Sequence, residues 1–201
     1  HRPRPASVKL ARKIGMEWLF GDARRLRAVT GFLRLSERTG MTALVRKTGV
    51  LGKLGMEDLE ALTPQISRKA LIPGNERWEA DPVDGETRRA HLFNGCVMGT
   101  VFANTNRAAG RVVARNGANI DVPVGQQCCG ALHVHAGMME AARVLARQNI
   151  DAFERGGDDA ILTTAAGCGA ALKEYGYLLK DDPAYAERAE RFSARVRDVT
   201  E

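Results

Sequence analysis

Apolar positions in the first third of the chain recur at three- and four-residue steps. Val8, Ala11, Ile14, Trp18 and Leu19 fall on one face of a helix by that rhythm. Asp22 is placed to cap a second helix in which Leu26, Val29, Leu33 and Ser36 continue it. Gly40, Gly49, Gly52 and Gly55 then break the pattern, so residues 1–72 read as short helices joined by breaks. From Pro73 to Gly85, with Gly74, Asn75, Pro82 and Asp84, the chain reads as an extended linker.

From residue 88 the period alternates. Short apolar runs at 88–95, 118–124 and 159–165 predict three strands. Between them, Phe102, Thr105, Asn106, Ala109, Val112 and Val113 mark one helix. Met138, Ala142, Leu145, Ala146, Asn149, Ile150 and Phe153 mark a second, longer one. Another helix starts near Ala170. Asp181-Asp182-Pro183 suits the start of a last amphipathic helix carrying Tyr185, Ala189, Phe192 and Val196. Strands alternating with helices predict an α/β fold, a parallel sheet with helices on both faces, behind a helical connector. Crossovers in such sheets are right-handed, which puts every strand-to-helix loop at one edge, where sites form.

Cys96, Cys128, Cys129 and Cys168 all fall in those loops: one after the first strand, two after the second and one after the third. Gly95, Gly125, Gly130, Gly167 and Gly169 flank them, and glycine permits close backbone approach and positive φ. Four thiolates favour zinc or an iron–sulfur cluster, since soft sulfur selects those metals. Zinc sites usually draw on Cys-x-x-Cys knuckles, which are absent here, and adjacent cysteines reach different irons of a cluster more easily than one small ion. Both metals stay open on this ground.

Net charge is +6, carried unevenly: residues 1–89 hold 18 Lys/Arg against 11 Asp/Glu, and residues 90–201 hold 12 against 13. Arg24, Arg25, Arg27, Arg34, Arg46 and Lys47 of the connector suit docking to an acidic partner subunit or a membrane surface, or the solvation of ordinary helices. No nucleic-acid partner is expected, because the arginines are interleaved with apolar residues at helical spacing and aromatics are few. No run approaches the roughly 18 apolar residues of a membrane span. The chain opens on His1-Arg2-Pro3-Arg4-Pro5 with neither start Met nor signal core, and is expected to be part of a longer polypeptide. Clustered cysteines then suit metal or redox work in the cytoplasm rather than a disulfide scaffold.

The spacing Cys96-x31-Cys128-Cys129-Gly130, then Cys168 after 38 residues, resembles the cysteine-rich CCG domain of heterodisulfide reductase subunits, lactate-utilisation proteins and glycolate oxidase iron–sulfur subunits. GQQCCGALHVHAG at 125–137 and AAGCGAALKEYG at 165–176 are most similar to the glycolate oxidase subunit, and the likeness covers residues 88–180. The resemblance implies residues 1–87 as connector and linker and residues 88–201 as the first of two CCG modules. In the whole subunit a ferredoxin-like segment with two [4Fe-4S] clusters would precede them. It implies Cys96, Cys128, Cys129 and Cys168 as ligands of an iron–sulfur cluster, of [4Fe-4S] type, with no acid–base catalyst in this chain. It further implies a flavoprotein partner that carries FAD and oxidises glycolate to glyoxylate, a quinone or other acceptor, and a cytoplasmic site with peripheral attachment to the inner face of the cell membrane. Lactate-utilisation and heterodisulfide reductase-type roles are the alternatives, with a zinc-stabilised interaction module beside them. Ala171 stands where the family pattern often has a last cysteine, which puts a five-thiolate cluster in doubt. His133 and His135 are expected to cap or line the following helix, and Lys173, Glu174 and Tyr175 to lie on a solvated face.

Overall fold

A computed structural model describes residues 13–48, 64–81 and 86–201. Val8, Ala11, Gly49, Gly52, Gly55 and Pro82–Gly85 of the sequence reading lie outside them. A π-helical segment, Lys13–Leu19, leads into α1 (Ala23–Arg38), whose N-cap Asp22 accepts from Arg24 N at 2.7 Å as expected. After a left-handed Gly40, α2 (Met41–Lys47) follows.

The sheet has five strands: β1 (Arg77–Trp78), β2 (Arg88–Leu92), β3 (Ala118–Asp121), β4 (Ala160–Thr163) and β5 (Val196–Asp198). Their spatial order is β1-β3-β2-β4-β5, with β2 to β5 parallel and β1 antiparallel on the β3 edge. Two strands depart from the sequence reading. β1 lies inside the stretch read as linker, and Val196, assigned to the last helix, instead opens β5. Two-residue and three-residue strands carry too little alternation to register as a period. Residues 64–72 are not helical either; the segment is laced to the stretch after β2 by Ser67 N to Val101 O at 2.9 Å and Leu71 N to Gly99 O at 2.8 Å.

The helices after β2 are α3 (Val97–Thr100) and α4 (Ala103–Arg115); after β3 come α5 (Ala131–His135) and α6 (Met139–Glu154); after β4 come α7 (Ala166–Lys173), α8 (Tyr175–Leu178) and α9 (Ala186–Arg195). Side chains alternate across the sheet and divide the core in two. Ala90, Leu92, Ala118 and Ile120 pack with Ala103 of α4 and with Leu71 on one face. Phe93 and Ile161 pack with Phe153 and Ile150 of α6 and Phe192 of α9 on the other. Asp182 does not cap α9 directly; its side chain accepts from Ala184 N and Arg147, in a turn that ends before Ala186.

The chain leaves β2 for β3 on one side and returns to β4 on the other. That reversal opens a crevice beyond the carboxyl ends of β2 and β4, where such sheets bind ligands. The cysteine loops sit there.

Candidate metal centre

Each cysteine reaches the crevice from its own loop. Cys96 precedes α3 after the left-handed turn at Gly95, and Cys128-Cys129 precede α5 through the left-handed Gly130. Cys168 lies in the first turn of α7. Cys96 Sγ is 3.6 Å from Cys128 Sγ, and Cys129 Sγ is 3.4 Å from Cys168 Sγ. Cys128 also contacts Cys129, so the four sulfurs make one row of contacts. Cys96, Cys128 and Cys129 are buried in the core, and Cys168 packs half-buried against it. Among the described residues no three His, Cys, Asp or Glu side chains surround a single point as in a finished ion site.

Protons divide unequally along that row. The hydrogen bond with Cys128 draws Cys96 below the ordinary thiol value, helped by the Val97 amide. Hydrogen bonds with Cys128 and then Cys168, with the Ala131 amide behind them, hold Cys129 down at about 3. Cys128 is pushed up by its bonds to Cys129 and Cys96, and Cys168 by its bond to Cys129, both aided by burial. Negative charge thus collects on buried sulfur, where only a cation or amide dipoles can offset it. Soft thiolates gathered in a dry pocket are a donor set that fits zinc or an iron–sulfur cluster.

Behind the sulfurs lies a buried polar scaffold. Asn149 of α6 accepts from Gln127 N at 2.7 Å and donates to Cys128 O at 3.0 Å and to the Tyr175 hydroxyl at 2.9 Å. Tyr175 donates in turn to Cys129 O at 2.9 Å. Burial and the nearby Cys129 charge hold the Tyr175 phenol well above its usual value, so it remains a donor. Across the crevice, Gln126 accepts from Asn94 N at 2.7 Å, and Asn106 donates to Asn94 O at 2.9 Å. Every one of these five side chains is buried.

Residues 90–173 match the family model of the cysteine-rich domain, CCG, and residues 7–63 match that of the glycolate oxidase iron–sulfur subunit, linker region. The "Probable glycolate oxidase iron-sulfur subunit" of Bacillus subtilis (strain 168) is 37% identical over 194 residues, 96% of this chain and 44% of the relative. This chain is a relative of the glycolate oxidase iron–sulfur subunits and carries a CCG cysteine-rich domain. The glycolate oxidase iron–sulfur subunit of Escherichia coli (strain K12) is 35% identical over 82% of the chain and 42% of its own length. Lactate utilization protein A of Geobacillus thermodenitrificans (strain NG80-2) is 30% identical over 56% of the chain and 46% of its own length. The chain spans less than half the length of these relatives. No solved structure shows a significant match.

The CCG match runs through all four cysteines. Ala171, one turn past Cys168, packs partly buried against the core, so no fifth thiol is supplied there. His133 is buried on α5, where its Nε2–H donates to Met16 O of the π-helical segment at 3.0 Å; it ties the connector to the cysteine loop. His135 is exposed. Lys173 and Glu174 face solvent, but Tyr175 does not: it is fully buried against the sulfur loops, which corrects the reading of that helix face. The sequence reading missed the roles of Asn94, Asn106, Gln126, Asn149 and Tyr175. The signal was present at Asn149, a carboxamide in the middle of an otherwise apolar stripe.

Proposed function

We propose that Cys96, Cys128, Cys129 and Cys168 hold an iron–sulfur cluster in an electron-transfer subunit of a glycolate-oxidising complex. The convergence of four thiols from three loops at the sheet reversal, inside a stretch that matches the CCG domain, carries this reading. When bound, such a cluster supplies one-electron exchange, here between an FAD-bearing flavoprotein partner that turns glycolate into glyoxylate and a quinone or other acceptor. The chain's own residues do the holding. Asn149 and Tyr175 fix the carbonyls of the cysteine pair, the amides of Val97 and Ala131 offset thiolate charge, and Phe93, Leu145 and Leu172 keep water from the site. No residue acts as an acid or base on substrate. The role sits in the cytoplasm.

A zinc-stabilised module is the second reading, favoured by one observation. Sulfurs about 2.3 Å from a shared tetrahedral zinc stand about 3.8 Å apart, close to the 3.6 and 3.4 Å seen for the two pairs. Anaerobic purification with iron, sulfide and zinc analysis and electron paramagnetic resonance separates them. Iron and sulfide with a reducible paramagnetic signal are expected, and Cys129→Ser should lose both. Zinc without iron would reject the electron-transfer role.

A further inference from the structure

The four sulfurs pair in a definite order. Cys96 Sγ lies 3.6 Å from Cys128 Sγ, and Cys129 Sγ lies 3.4 Å from Cys168 Sγ. The adjacent cysteines thus send one sulfur to each neighbouring loop, Cys128 to the loop after β2 and Cys129 to the first turn of α7. Two contacts therefore join the loops after all three parallel strands. A disulfide is about 2.05 Å long, so each pair has to close by roughly 1.5 Å, within reach of side-chain rotation. A bond between Cys128 and Cys129 would instead close a small ring through their own peptide, whose planarity resists it. Cys96, Cys128 and Cys129 are buried, while Cys168 is half-buried and nearest to solvent.

We propose that, once the metal has left, hydrogen peroxide converts this row into two disulfides, Cys96–Cys128 and Cys129–Cys168, a locked metal-free state that a thiol reductant reopens. The proposal rests on the metal-centre reading above, whichever metal the centre takes. Cys168 reacts first. Its sulfur attacks one peroxide oxygen, the O–O bond breaks, and a sulfenic acid and one water form. Cys129 then attacks the Cys168 sulfur, the S–O bond breaks, and the disulfide forms as a second water leaves with the thiol proton. A second peroxide does the same at Cys96 and Cys128. Each pair of thiols loses two electrons and two protons to one peroxide, which becomes two waters. The bonds fasten the same three loops that a metal would hold, across spans of 32 and 39 residues, and spans of that length strongly restrict the unfolded chain. Sulfur held in a disulfide is also kept from the irreversible sulfinic stage.

Peptide mass spectrometry of the full-length protein tests this. Iron, sulfide and zinc are measured first; the metal is then stripped anaerobically with a chelator and the reduced protein is treated with hydrogen peroxide. Both disulfides should be mapped, Cys129–Cys168 appearing before Cys96–Cys128. The oxidised protein should lose zinc(II) uptake, melt at a higher temperature than the reduced metal-free protein, and regain uptake with dithiothreitol. Cys168→Ser should still form Cys96–Cys128 and keep Cys129 as a thiol; if that variant does not fold, the map of the unaltered chain decides. A Cys128–Cys129 or Cys96–Cys168 bond, bridges between molecules, sulfinic acid in place of disulfides, or zinc uptake untouched by oxidation would each overturn the proposal. Zinc without iron in the first measurement would remove the electron-transfer role and leave the disulfide map to stand or fall by itself.

Discussion

The Asn149 carboxamide and the Tyr175 hydroxyl each donate a buried hydrogen bond to a carbonyl of the Cys128-Cys129 pair, and a third bond joins the two side chains. Backbone carbonyls turned away from the sulfurs leave the thiol side of each loop free to face a metal. Tyr175→Phe removes one O–H donor and leaves Cys129 O buried without it, a loss of about 1–3 kcal/mol. Chemical denaturation should show this decrease, with Tyr177→Phe, exposed at 70%, unchanged as the control. Faster loss of iron to a chelator should accompany it, because the loop that presents two of the four thiols is no longer fixed.

At the level of elements, close approach decides several contacts. Gly110 of α4 lies under Trp78 of β1, and a Cβ there would come 2.6 Å from the indole. Gly110→Ala should push β1 off the edge of β3 and cost about 1–3 kcal/mol, as overpacked sites do; a lowered melting temperature with faster amide exchange at Trp78 would register it. That contact also explains why β1 escaped the sequence reading, since two residues held by a distant glycine show no period of their own. β2, β3 and β4 were legible because each is a short apolar run between glycine-bearing loops. β5 was not, because Val196 continues the spacing of Ala189 and Phe192, and only pairing with β4 ends the helix. The cysteine convergence was readable from topology alone: right-handed crossovers put three loops at one edge. The amide scaffold was not, since hydrogen-bond partners 12 to 46 residues apart leave no local pattern.

For the whole molecule, three loops meet through their sulfurs, so a bound metal contributes to folding as well as to chemistry. Stripping the metal under reducing conditions should lower the melting temperature of the module. Loading should depend on pH with a definite sign. Cys128 and Cys168, held above the ordinary thiol value, keep their protons at neutral pH and must release them on binding. Zinc affinity of the metal-free protein should therefore fall at least about 100-fold for each unit that pH drops near neutrality, since Cys128 and Cys168 each give up a proton. Competition with a chromophoric chelator across that range measures the slope, and a flat profile would contradict the proton assignment.

The thiols span most of the described module, from the first parallel strand to just past the third. During synthesis, Cys96 and the adjacent pair leave the ribosome well before Cys168. Two of the three loops are therefore made before the sulfur that Cys129 contacts exists. On the proposed cluster reading, cofactor insertion is a late event in the life of this polypeptide, and a stalled chain ending before residue 168 should remain empty even where iron and sulfide are plentiful.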